Sequence, residues 1–271
     1  MLGIAASARS APAEVWQALE PGLELGTFEL PRRPLAGAAA LHVLRVDPER
    51  FELRLVNASA APDGTPASAR EWASRAGLVA AINASMFQQD YRRSVSLMRT
   101  RDHVNQPRLS KDNAVLAFDR LDEEVPRVQI IDRTCQDFDS LKGRYGTLVQ
   151  SIRMISCERA NVWSQQPQHW STAAIGIDGA GRVLMLHAAG LYTTHDLIHM
   201  LLELPLDVRS AMYVEGGTPA QLYVKAGGKE YEFVGRDDTG LLGSDGLFQK
   251  LQIPNVIGVA RSTPAGKKGG P

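Results

Sequence analysis

The chain has 271 residues, 44% of them hydrophobic and 22% charged, which is enough to bury one sizeable core. Thirty basic residues balance thirty acidic ones, so no long-range field gathers nucleic acid or an anionic membrane, and an anionic ligand has to be held by a few local groups. No stretch reaches the roughly 18 consecutive apolar residues of a membrane-spanning helix.

Residues 1–14 form a leader. Its run LGIAASA carries an Ala-x-Ala-like element with no basic residue before it, and reads either as the remnant of a secretion signal or as an Ala-rich, disordered leader. One folded domain is expected over residues 15–260, followed by a Gly/Pro/Lys tail at 261–271 that reads as disordered. Within the domain, LHVLRV (41–46) and FELRLV (51–56) alternate as strands, and the turn Asp47-Pro48-Glu49-Arg50 between them suggests a hairpin. SAREWASRA (68–76) opens with a capping box, Ser68 and Glu71, and Gly77 ends the helix. LVAAI (78–82) is a short strand buried on both faces that delivers Asn83, Ala84, Ser85, Met86 and Phe87 at its end.

Residues 88–113 are polar and rich in Arg, and read as a long surface loop; loops of that length are uncommon unless functional. Strands follow at 114–118 and 128–131, a helical turn at 137–141, and a single strand LVQSIRMI at 148–155. After an aromatic, Gln-rich loop (162–170), strands at 173–177 and 182–187 form a hairpin around Asp178-Gly179-Ala180-Gly181. THDLIHMLLEL (194–204) is the clearest helix, with Thr194 as its N-cap and Pro205 stopping it. AMYV (211–214) is a buried strand, 221–224 and 230–234 form a hairpin at Gly227-Gly228, and 256–259 is the last strand. The only cysteines, Cys135 and Cys157, lie too far apart for a CxxC motif, and the spacing allows either a disulfide or two buried thiols.

The strongest chemical signal is Glu215-Gly216-Gly217-Thr218. An apolar strand brings a carboxylate to its C-terminal end, and two glycines beyond it let a ligand approach the backbone; the alternative is an ordinary tight turn with an exposed Glu. Asn83 offers both amide donor and acceptor to sugar hydroxyls, or else caps its own loop. Arg153, inside an apolar strand, must pair with a carboxylate or face a cavity holding an anion, unless it points to solvent. His195, His199 and Glu203 have a helical spacing that a metal could use, but the order is not HExxH and a solvated polar face explains it better. No metal and no cofactor are expected, and Asp178 reads as a turn residue. No GxSxG elbow, P-loop or dinucleotide fingerprint is present, which argues against an esterase, an NTPase or a dehydrogenase.

Taken in order, LVAAINASMF, LVQSIRMI, AAIGIDGAGRVLML, TTHDLIHMLLELPL, AMYVEGG and IPNVIGV resemble the phosphodiester glycosidase family over roughly residues 41–259. The resemblance implies an α+β fold, a mixed β-sheet core with flanking helices. It implies hydrolysis of the bond between a sugar and a phosphodiester, in a secreted or periplasmic protein whose partner is a sugar phosphodiester or polysaccharide. It also implies a site. Glu215, Gly216 and Gly217 fall on the family's DGG motif with Thr218 just after; Asn83 matches the Asn of its NAG/NGG motif, with Ser85 where Gly is usual; Ser151 falls in its SGP-like stretch. Two positions depart. Glu215 stands where the family has Asp, and Thr172 stands where the RTAIG-like segment has Arg, leaving Arg153 or one of Arg92, Arg93, Arg99 and Arg101 to hold the phosphate. The alternative to an enzyme is a catalytically silent carbohydrate or envelope-polymer binding module on the same fold.

Overall fold

A computed structural model describes residues 15–236 and 252–262; the leader at 1–14 and the last nine residues of the expected tail lie outside them. Three antiparallel sheets make the fold. In chain order the strands are β1 (Trp16–Glu20), β2 (Leu23–Glu29), β3 (Ala40–Val46), β4 (Phe51–Asn57), β5 (Ala80–Asn83), β6 (Met98–Arg99), β7 (Val104–Gln106), β8 (Ala114–Arg120), β9 (Gln129–Asp132), β10 (Tyr145–Ser151), β11 (Arg153–Ile155), β12 (Trp170–Asp178), β13 (Val183–Tyr192), β14 (Val208–Gly216), β15 (Gln221–Ala226), β16 (Lys229–Val234) and β17 (Asn255–Arg261). The largest sheet runs β1-β2-β3-β13-β12-β14-β11, the second β7-β6-β10-β8-β9 and the third β16-β15-β5-β17-β4.

The expected mixed sheet with flanking helices is therefore wrong. Every strand pair among the described residues is antiparallel, and 46% of those residues are strand and 11% helical. Antiparallel neighbours are joined by turns and need no helical crossover, so a chain rich in short turns leaves few helices. Apart from a 3₁₀ turn at Ala58–Ala60, the helices are α1 (Ala69–Ala76), α2 (Phe138–Leu141) and α3 (Thr194–Glu203). All three sheets turn one face into a shared core that includes Leu44, Ile175 and Met185 of the first, Leu116 and Val149 of the second, and Ile82, Leu222 and Ile257 of the third. The opposite face of each sheet carries a helix: Leu197, Ile198 and Leu201 of α3 pack with Leu186 and Ala174, Trp72 of α1 with Ala81 and Val256, and Phe138 of α2 with Val115 and Ile131.

The capping box at α1 forms as the sequence indicates, with Gly77 left-handed at its C-cap, and the 173–187 hairpin forms around Asp178, which accepts from the N–H groups of Ala180 and Arg182. The cap of α3 is Thr193 rather than Thr194. Two strand readings change. β3 and β4 do not pair, because the Asp47–Arg50 turn carries the chain from the first sheet to the third, where β4 lies against β17. LVQSIRMI is two strands broken at Ile152, β10 in the second sheet and β11 in the first. The 88–113 segment is not a bare loop either: it holds β6 and β7, and the wholly buried Gln150 side chain pins it by accepting from the N–H groups of Leu97 and Ser110 and donating to the carbonyls of Ser110 and Asp112.

The two cysteines form a disulfide that ties the turn after β9 to the turn after β11, and so joins the edges of two sheets. In the shared core, His187 is 1% exposed and neither ring nitrogen has a partner; burial, with His42 beside it, pushes its pKa down to about 4. The unfolded chain takes up this proton near pH 6.5, so the stability tied to a neutral His187 is intact above that pH and drains away as pH falls toward 4, by about 3 kcal/mol. Urea unfolding at pH 7 and pH 4.5 is expected to show a smaller acid loss in His187→Leu than in the wild type; equal losses would contradict it.

Candidate active site

β14 owes its buried run to Ala211, Met212, Tyr213 and Val214, and its pairing with β12 shifts register between Ala173 and Ala174, just before the chain reaches Glu215. Gly217 then turns the chain in the left-handed region (φ 70°), its N–H donating to the Ser171 carbonyl at 2.9 Å. The Glu215 side chain is half-buried. The Gly216 N–H donates to its Oε1 at 3.1 Å, but burial dominates and raises its pKa to about 7. Burial and the Glu215 charge together hold the Tyr213 phenol far above its usual range.

Beside this carboxyl lies a cavity of about 250 Å³ lined by Trp170, Tyr213, Gly216, Gly217, Thr218 and Pro219. Trp163 packs against Tyr213, their ring centroids 5.3 Å apart. Among the described residues, none that lines the cavity is a cation. Trp170 Nε1 and the Oγ1 of Thr172, the latter residue paired with Gly216 across the ladder, are buried without a hydrogen-bond partner. A larger cavity of about 560 Å³ runs along β4 and β8 past Phe51, Arg54 and Asp119, and holds none of the sequence candidates.

Of the residues the sequence singles out, Gly216, Gly217 and Thr218 line the small cavity, and Glu215 and Thr172 adjoin it at Gly216, the first as its chain neighbour and the second as its ladder partner. Asn83 reaches it from behind. Its Nδ2 donates to the Pro219 carbonyl and its Oδ1 accepts from the Gln221 N–H, both at 2.8 Å, so the amide braces the pocket wall and is itself 1% exposed. Ser85 and Ser151 are equally committed, their hydroxyls donating to the carbonyls of Gln150 and Tyr213. The N–H groups of Gly216 and Gly217 are taken by Glu215 and Ser171. Arg153 pairs with the buried Asp132 at 2.7 and 2.8 Å and also meets Thr134, the carboxylate pairing that its place in a strand called for. Among the loop arginines, Arg93 pairs with Asp90, Arg101 with Asp119, Arg99 donates to the carbonyls of Lys142, Tyr145 and Gly146, and Arg92 lies against Gly64. His195 and His199 stack edge to face with centroids 4.6 Å apart, and among the described residues they form no three-ligand group with Glu203.

Trp163, Trp170 and Tyr213 were not legible as site residues. The aromatic segment before β12 was visible, but only the β12–β14 pairing sets it over Gly216. A Cβ on Gly216 would collide with the Tyr213 hydroxyl and lie 2.6 Å from Trp170 Cδ1. Gly216→Ala is therefore expected to lower the melting temperature by about 5 °C through overpacking and to weaken ligand binding in a calorimetric titration; unchanged melting and binding would show that the two rings yield freely.

Fold and pocket together define an antiparallel β protein with a small aromatic-lined site beside Glu215, a proton-retaining carboxyl. The chain belongs to the phosphodiester glycosidase family, whose sequence profile matches residues 76–260. It superposes on the catalytic domain of zebrafish N-acetylglucosamine-1-phosphodiester alpha-N-acetylglucosaminidase, auto-inhibited by its pro-peptide, with a TM-score of 0.63 at 13% identity, covering 95% of this chain and 87% of that one. It also superposes on a hypothetical protein from Synechocystis, with a TM-score of 0.59 at 12% identity, covering 89% and 62%. At these identities the likeness shows the fold. No curated protein matches the sequence.

Proposed function

We propose that this protein hydrolyses the bond between a sugar anomeric carbon and a phosphodiester oxygen. Family membership supports a glycosidase-type hydrolase, and the observation that carries the reading is Glu215, a half-buried carboxyl with a pKa near 7 beside a sugar-sized cavity. A carboxyl that titrates near neutrality is suited to general base catalysis. Ionised Glu215 takes a proton from water as the water oxygen bonds to the anomeric carbon, and the bond from that carbon to the phosphoryl oxygen breaks. A phosphate monoester leaves readily, so a second carboxyl acting as acid is less necessary than in ordinary glycosidases. Asn83 contributes by fixing the Pro219 wall rather than by touching the sugar.

The disulfide between Cys135 and Cys157 supports an oxidising, extracytoplasmic setting. Among the described residues no helix is long and apolar enough to cross a membrane. The zebrafish relative's name makes N-acetylglucosamine-1-phosphodiesters the first substrates to try. Purified protein should release free N-acetylglucosamine from them. A second reading, a sugar-binding module without turnover, is favoured by Thr172 where the family has Arg and by a cavity lining that, among the described residues, holds no cation. Saturable binding with no sugar released would select it.

A further inference from the structure

The unpaired polar atoms around Gly216 are all uncharged. Trp170 Nε1 and Thr172 Oγ1 are buried with no partner, and the Tyr213 hydroxyl reaches the same side of Gly216 as the Trp170 indole edge. A buried polar atom left unpaired costs about 1–3 kcal/mol, and its persistence calls for an explanation such as a water or a ligand group. The indole N–H can only donate, whereas the two hydroxyls donate or accept. Sugar hydroxyls offer both roles, and the aromatic lining residues Trp170 and Tyr213 suit the apolar face of a sugar ring.

A phosphodiester in the same place would be an acceptor-only anion crowded against Glu215, with no cation among the described lining residues to offset the repulsion. Cationic help lies outside. The Arg236 main chain is fastened to Ser171 in both directions, its N–H donating to Ser171 Oγ at 3.1 Å and its carbonyl accepting from the Ser171 N–H at 2.9 Å; Ser171 in turn holds Gly217. Arg236 is exposed and forms no ion pair among the described residues, and the preceding Gly235 lies against the Gly217 carbonyl, next to exposed Thr218 in the chain.

Resting on the reading that this site takes a sugar-1-phosphodiester, we propose that the sugar ring enters the cavity and hydrogen-bonds to Trp170 Nε1 and the Tyr213 hydroxyl, while the phosphodiester projects outward past Thr218 to Arg236. Arg236 then supplies, from the end of β16, the charge that Thr172 does not.

Calorimetric titrations of the wild type, Trp170→Phe, Tyr213→Phe and Arg236→Gln with N-acetylglucosamine, with inorganic phosphate and with an N-acetylglucosamine-1-phosphodiester test this. Trp170→Phe removes an unpaired donor and keeps a smaller aromatic ring in place of the indole, so its melting temperature should fall little. Trp170→Phe and Tyr213→Phe should each weaken N-acetylglucosamine about tenfold and leave phosphate unchanged. Arg236→Gln should do the reverse, and it alone should flatten the salt dependence of phosphodiester binding. If the aromatic variants weaken phosphate instead, or if none of the three changes either probe, the orientation is wrong. A wild type that binds neither the phosphodiester nor the free sugar would overturn the proposed function itself, whatever the variants do.

Discussion

Glu215→Gln is expected to cut sugar release by about a thousandfold while making the folded protein more stable at alkaline pH. The rate loss follows from the proposed role, since glutamine cannot accept the proton of the attacking water. The gain in stability follows from the direction of the shift. The folded-state pKa lies near 7, above the ordinary value of 4.5, so the native protein holds a proton that the unfolded chain has already given up. The group is neutral and without penalty below pH 4.5; as pH rises from there through 7, a carboxylate must be kept in a half-buried, cation-free place, and stability is lost. Glutamine removes that penalty. Allowing for partial solvent access, the variant should gain about 2 kcal/mol over the wild type at pH 8 and nothing at pH 4.5. The wild-type kcat/KM should climb with pH through about 7 as the base ionises. Sugar release by Glu215→Gln at the wild-type rate would remove Glu215 from the chemistry, and identical unfolding curves at pH 8 would show that the carboxyl is better solvated than its surroundings imply.

The second large effect is expected at Asp132, away from the cavity. Burial alone would raise its pKa, but hydrogen bonds from Arg153, from the Thr134 side chain and main chain and from the Cys157 N–H outweigh it, and the net shift is downward. This carboxylate, 2% exposed, thus holds the end of β9, the start of β11 and the turn beside the disulfide in one cluster. Asp132→Ala strands the Arg153 guanidinium, whose Nε is already buried and unpaired, and frees two main-chain donors. The cost should be about 3–5 kcal/mol, or a melting temperature lower by about 10 °C or more. Because the folded pKa is depressed, this stabilisation is complete above pH 4 and is lost as pH falls through the folded value. A melting temperature within a degree or two of wild type would mean that the disulfide alone holds the two sheet edges together. Binding of N-acetylglucosamine by surviving folded Asp132→Ala should be unchanged, since none of these groups lines the cavity.

The sequence by itself was enough to locate Glu215-Gly216-Gly217 at the end of an apolar strand, Asn83 at the end of another, the capping box of α1 and the glycine hairpins at 178–181 and 227–228. Each of these is written in a few consecutive residues whose backbone needs or burial are local. The ordered set of motifs also pointed to the family. Pairing across the chain was decided only by the tertiary structure. Alternation in 41–46 and 51–56 tells which side chains are buried, not which strand lies alongside, and so the turn between them reads as a hairpin although β4 pairs with β17, with Asn57 opposite Asn255. Periodicity likewise passes through Ile152 without a sign that the chain changes sheets. The three helices read from the sequence form, but the mixed sheet that the resemblance implied gave way to antiparallel pairing, with one face of each sheet covered by the other two. Asn83 shows why the site needed coordinates: its amide looks free to meet a ligand until the partners 136 and 138 residues away, Pro219 and Gln221, come to it. Burial, unpaired donors and the raised pKa of Glu215 are properties of surroundings assembled from distant strands, and a local stretch of sequence does not carry them.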